Sequence, residues 1–196
     1  AYVNVKWFGA VADDATDDYA AFAAAIAFLP DSGGTLWIPE GKYRIGSTIH
    51  IAKPIKIVGE GIGQNPGIVD GVTYSGVEPF HGTVLHVDAG VEGIVFHPHT
   101  TEDDVALVTA NPGNYYNEQS AVYSQMSDLM IFCGDGSRPA FSDGKNGVRI
   151  KTKVDLNTIW VRGAAGNGFE ISATPTTGFP ANYGNADMAR LTNCKA

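Results

Sequence analysis

Trp160 and Arg162 stand two residues apart in Thr158-Ile159-Trp160-Val161-Arg162, and a further arginine opens Arg190-Leu191-Thr192. Side chains alternate between the two faces of a strand. With Ile159 and Val161 turned inward, Trp160 and Arg162 point outward; with Leu191 inward, Arg190 does the same. If the two segments stack, these three side chains share one face. An aromatic ring stacks on the apolar side of a sugar, and a guanidinium pairs with a carboxylate. Arg162 and Arg190 are therefore candidate catalytic residues, able to neutralise a carboxylate while a base removes the adjacent proton. Trp160 is a candidate substrate-binding residue. Arg149 and Glu170 form a second candidate pair for substrate, against the plainer reading of a cross-strand ion pair that contributes little.

Other polar clusters have simpler explanations. Asp13, Asp14, Asp17 and Asp18 could hold a cation, but a turn suits the first two and a helix start the second two. His97-Pro98-His99, followed by Glu102, Asp103 and Asp104, has metal-ligand residue types, yet the proline makes convergence of the two imidazoles a poor expectation. Gly59-Glu60-Gly61-Ile62-Gly63 is not a phosphate loop, because no Lys-Ser/Thr and no helix follow it. Asp128, Asp135, Asp143 and Asp155 are scattered, which disfavours the paired carboxylates of a glycoside hydrolase. No metal site is assigned.

Something must position these residues. The chain has 196 residues, enough for one domain, and its charged fraction is 17% against 24 glycines. That balance favours short strands and tight turns over long solvated helices. No apolar run approaches the length of a membrane span. The net charge of −8 repels phosphate backbones, so nucleic acid is not an expected partner. Cys133 and Cys194 form no CxxC pair and read as free thiols.

The helical periodicity lies near the start, where Tyr19, Phe22, Ile26 and Leu29 make one apolar stripe. It predicts a helix over about 17–29, with Thr16 or Asp17 as N-cap and Pro30 as a stop. The remainder reads as short strands: 35–39, 41–45, 48–51, 55–58, 83–87, 93–96, 129–133, 147–151, 158–162, 168–171 and 189–193. Asn146-Gly147-Val148-Arg149-Ile150 is echoed by Asn167-Gly168-Phe169-Glu170-Ile171, and 156–164 more loosely by 188–196. Self-similarity at a spacing of ~20 residues marks a solenoid whose coils stack in register.

The opening adds a specific signal. VNVKWFGAVADDATDDYAAFAAAIAF, then GGTLWIPEGKYRI, then IKIVGEGIG resembles the N-terminal signature of the pectate-lyase-like superfamily, shared by tailspike depolymerases, polygalacturonase-like hydrolases, exo-glucanases and alginate epimerases. The resemblance is strongest over residues 3–63. Its pattern has Asp-Gly where this chain has Asp13-Asp14.

The resemblance implies an all-β, right-handed single-stranded parallel β-helix with an N-terminal capping α-helix. One domain over 1–196 is expected, with a cap region over 1–34 and coils over 35–196. A helix plugging the open end would cover exposed strand edges and apolar side chains. The implied activity is that of an enzyme on an extracellular acidic polysaccharide. A lyase is favoured over a hydrolase or epimerase by the outward arginines, with calcium as a cation such an enzyme could use. The alternative is a non-catalytic glycan-binding or structural segment of a tailspike-type protein. The expected location is extracellular or on a virion. The chain stops inside what reads as another coil, so a fragment, or a homo-oligomer such as a trimer, is expected.

Overall fold

A computed structural model describes residues 1–62, 82–97, 123–133, 145–171 and 189–196. Among these residues every strand pairing is parallel. The strands fall into three faces that recur coil after coil. The first coil holds β1 (Tyr2–Asn4), β2 (Asp13–Asp17) and α1 (Tyr19–Phe28). The second holds β3 (Gly34–Trp37), β4 (Gly41–Ile45) and β5 (Ile49–Ile51). The third holds β6 (Ile55–Val58), β7 (Thr83–Val87) and β8 (Ile94–Phe96). In the fourth, β9 (Ser124–Cys133) serves two faces in turn before β10 (Val148–Ile150). In the fifth, β11 (Val154–Arg162) does the same before β12 (Phe169–Ile171), and β13 (Arg190–Thr192) begins a sixth. This is the right-handed parallel β-helix that the sequence implies, in the hand that parallel crossovers adopt.

Registered apolar columns make the interior. On the first face, Val3, Leu36, Ile57, Met126, Leu156 and Leu191 align. On the second, Tyr43, Leu85, Ile131 and, by way of β9, Val161 align. On the third, Ile51, Phe96, Ile150 and Ile171 do so. Each coil therefore contributes apolar side chains at heights fixed by the strand spacing of ~4.8 Å. The echo between residues 146–150 and 167–171 is the register of β10 on β12, which pairs Val148 with Phe169 and Ile150 with Ile171.

Several boundaries differ from expectation. The helix starts at Tyr19 rather than about 17, and residues 13–17, expected as a turn leading into the helix start, form β2. The N-cap position belongs to Asp18, whose carboxylate turns away from the helix to accept the backbone N–H groups of Val11 (2.7 Å) and Ala12 (3.0 Å). Asp17 accepts Tyr19 N–H and Gly46 N–H, both at 3.0 Å. The helix buries Ala21, Phe22, Ala25 and Ile26, and Phe22 meets Tyr43 edge-on at 5.5 Å. The strands expected at 129–133 and 158–162 begin earlier, at Ser124 and Val154. Both bend where Asp128 and Thr158 adopt positive φ, and Asn193 repeats that conformation one coil on.

Candidate functional site

The outer side of the second face gathers the chemistry. Parallel register places Arg44, His86, Phe132 and Arg162 in one row along the solenoid axis. Lys42, Val84, Met130, Trp160 and Lys195 form the adjacent row, the last through an isolated bridge. Val84 and Met130 are buried although they point away from the core.

Trp160 and Arg162 lie together on this face, as their alternation predicts. The Arg162 guanidinium sits 5.2 Å from the centre of the Trp160 ring, and Lys195 Nζ sits 5.0 Å from it. Neither cation has a carboxylate partner among the described residues. A recess of about 450 Å³ opens here, lined by Trp160, Arg162, Gly163, Gly168 and Lys195 among others.

Arg190 is not part of that group. It pairs in register with Asp155 on the first face, and Leu191 pairs with Leu156 rather than Ile159. The physical reason is the corner. Thr158 and Asn193 take the same positive-φ bend, so the chain turns between Arg190 and Lys195, and Lys195 is the residue delivered to Trp160. Sequence reasoning missed Lys195 because the loose echo of 156–164 by 188–196 set the alignment three residues off.

Arg149 and Glu170 do meet, outside the third face, in a saturated network. Arg149 bonds Glu170 at 3.2 Å and Glu92 at 2.7 Å. Asn146 donates to Glu92 at 3.1 Å and also to Glu170. One guanidinium thus faces two carboxylates, and its donors are already directed at them. Among the described residues no three carboxylate, imidazole or thiol groups converge as a candidate site for calcium.

The acidic cluster serves local structure with one exception. Asp13 accepts the N–H groups of Ala15 and Thr16, and those bonds, Thr16 first, hold its carboxyl below the usual range. Asp17 and Asp18 are engaged as described above. Asp14 is different: its carboxylate receives both Lys42 Nζ and His86 Nδ1. Nearby, Arg44 makes a bidentate contact with Asp88, at 2.9 to 3.2 Å. His97 bonds His50 ring to ring at 2.8 Å. His99, Glu102, Asp103 and Asp104, with Asp135 and Asp143, lie outside the described residues.

Comparison with known proteins adds the family context. The family model described as rhamnogalacturonase A/epimerase, pectate lyase-like, matches residues 2–193. Mannuronan C5-epimerase AlgE3 of Azotobacter vinelandii is 42% identical over 79 residues, 36% of this chain and 4% of that protein. The pre-neck appendage protein of Bacillus phage B103 is 45% identical over 60 residues, 31% of this chain and 6% of that protein. The A-module of mannuronan C-5 epimerase AlgE4 of Azotobacter vinelandii superposes with a TM-score of 0.52 at 20% identity. That superposition covers 87% of this chain and 40% of the other, and it speaks to fold alone. The chain thus spans only a small part of the length of these curated relatives.

Proposed function

The chain belongs to the rhamnogalacturonase A/epimerase, pectate-lyase-like family, and from that premise we propose that it serves a protein acting on an acidic extracellular polysaccharide, with lyase chemistry the leading form. The observation that carries this reading is the indole of Trp160 with two cations beside its ring that lack carboxylate partners among the described residues, on a chain of net charge −8. Such a group would stack on a sugar ring and hold its carboxylate. A lyase, like an epimerase, takes a proton from the carbon beside that carboxylate, and the negative charge that develops there needs a nearby cation. In this reading Arg162 and Lys195 supply it and Trp160 orients the ring. Arg190, across the corner, has no part in it. The relatives called mannuronan C5-epimerases favour a uronate polymer.

The test is binding and turnover of uronate oligosaccharides by the protein that carries this chain. Trp160→Ala and the double substitution Arg162→Ala with Lys195→Ala should each weaken binding about tenfold or more, about 1.4 kcal/mol. The fold, followed by circular dichroism, should be unchanged. Binding unaffected by both would overturn the reading.

A second reading has its own support. Likeness to a phage pre-neck appendage protein favours an adhesive or structural segment on a virion. It predicts glycan binding without any new unsaturated or reducing end.

A further inference from the structure

Strand register sets Tyr2, Thr35, Lys56, Gln125, Asp155 and Arg190 in one outward row along the first face. Trp37, Val58, Ser127, Asn157 and Thr192 form the row beside it. Outside the third face Arg149 is held by Glu92 and Glu170, and outside the second Arg44 is held by Asp88. On the first face, by contrast, the side chains of Lys56, Gln125, Ser127, Asp155 and Arg190 engage no partner among the described residues.

One end of these rows is aromatic. Tyr2 and Trp37 stack with ring centres 5.9 Å apart and planes inclined by 29°, and Trp7 meets Tyr2 edge-on at 6.1 Å. Trp7 is 66% exposed and Tyr2 52%. Trp7 rides on a single helical turn, Val5–Phe8. Buried Val5 anchors that turn, the Asn4 side chain accepts Lys6 N–H at 2.8 Å, and Gly9 closes it at φ +97°. Rings held in water on a fixed turn forgo the burial that folding ordinarily gives them, and a ligand restores it.

The chemistry of the strip selects its occupant. Aromatic rings take the C–H face of a sugar, while amide and hydroxyl side chains donate and accept as sugar hydroxyls do. The rows advance by one strand spacing per coil, so the five steps from β1 to β13 extend about 24 Å, a length suited to a polymer. Asp155 stands in register between Gln125 and Arg190, so the row carries both signs and gives a polyanion no continuous cationic track. A protein partner would require an apolar centre inside a polar rim. Here the rings stand at one end and the polar groups follow in file.

We infer that the outer side of the first face binds a neutral hexose polymer laid along the solenoid axis. Trp7 and Tyr2 stack on the sugar at one end, and Lys56, Gln125, Ser127 and Asp155 hydrogen-bond its hydroxyls further along. This strip is separate from the Trp160 recess, which lies on the second face beyond the bend at Asp128, Thr158 and Asn193. It stands whether or not that recess takes an acidic sugar.

The experiment titrates the protein that carries this chain with cellohexaose, mannohexaose, maltohexaose and laminarihexaose by calorimetry, at two ionic strengths, with a uronate hexasaccharide alongside. At least one neutral hexaose should bind, and raising the salt should change its affinity by less than about twofold. Trp7→Ala should weaken that binding about tenfold or more. Gln125→Ala, three strands further along, should weaken it about threefold. Trp7→Phe should restore most of the loss, and uronate affinity should be the same in Trp7→Ala as in wild type. Because Trp7 is exposed, its replacement should leave the circular dichroism spectrum unchanged. Failure of all four neutral hexaoses to bind would overturn the inference, as would binding that both alanine variants retain in full. Self-association of the protein that Trp7→Ala abolishes would also overturn it and assign the aromatic end to a second copy. None of these outcomes touches uronate binding at Trp160, which is read by the variants described above.

Discussion

Cys133 and Cys194 meet water differently. Cys133 is buried at the inner end of β9, and that burial pushes its thiol up to about 12. Cys194 is partly exposed. At pH 8, iodoacetamide should modify Cys194 in the folded protein and reach Cys133 only after denaturation, which peptide mass mapping would show. Tyr43 is also raised, by burial first and then by Asp18 and Glu60. Both groups are neutral when buried and ionise more readily in the unfolded chain. Their contribution is present below the ordinary thiol value of 9.0 and is lost as pH rises toward the folded values. The denaturation midpoint should therefore fall above about pH 9, and Cys133→Ala should blunt that fall. At this scale the sequence was partly legible. Strand alternation placed Trp160 and Arg162 outward together, because alternation is local. Asp14 and His86 are 72 residues apart, and nothing in either segment signals that parallel stacking will join them.

Among the elements, the repeated Asn-Gly that opens β10 shows how tightly the coils approach. A Cβ on Gly147 would collide with Val161 on the coil beneath the turn. Gly147→Ala should cost about 1–3 kcal/mol, visible as a lower urea midpoint, because neither backbone nor β-branched neighbour can yield easily. Phe22→Ala should cost about 3–5 kcal/mol by removing the largest side chain that α1 buries. Strands bounded by glycine, such as Gly41–Ile45, were read to the residue, since their apolar alternation and turn punctuation agree. The leading halves of β9 and β11 were not. Ser124 to Ser127 are polar except for Met126, Val154 to Asn157 carry a polar residue at every second place, and the positive-φ corner after each is taken by aspartate or threonine rather than glycine. The sequence reads as a turn at Asp13 and Asp14 and a helix start at Asp17 and Asp18, since aspartates favour both positions; pairing with β4 makes residues 13–17 a strand instead.

For the whole molecule, a surface of net charge −8 repels a polyanion except where cations are gathered and held. The proposed glycan contact should then weaken steeply as salt is raised, since Arg162 and Lys195 are solvent-facing, whereas folding stability should change little. Measuring oligouronate affinity at two ionic strengths checks this. The three-face architecture also bears on how such a molecule tolerates change. Val3 stacks on Leu36 and Leu36 on Ile57, yet Ile57 stacks on Met126 across a much longer stretch of chain. What lies between two paired strands can lengthen without altering the height at which they meet. A linear polymer laid against the outside is thus measured by a ruler whose graduations are strand spacings, and insertions at the corners leave the marks where they are.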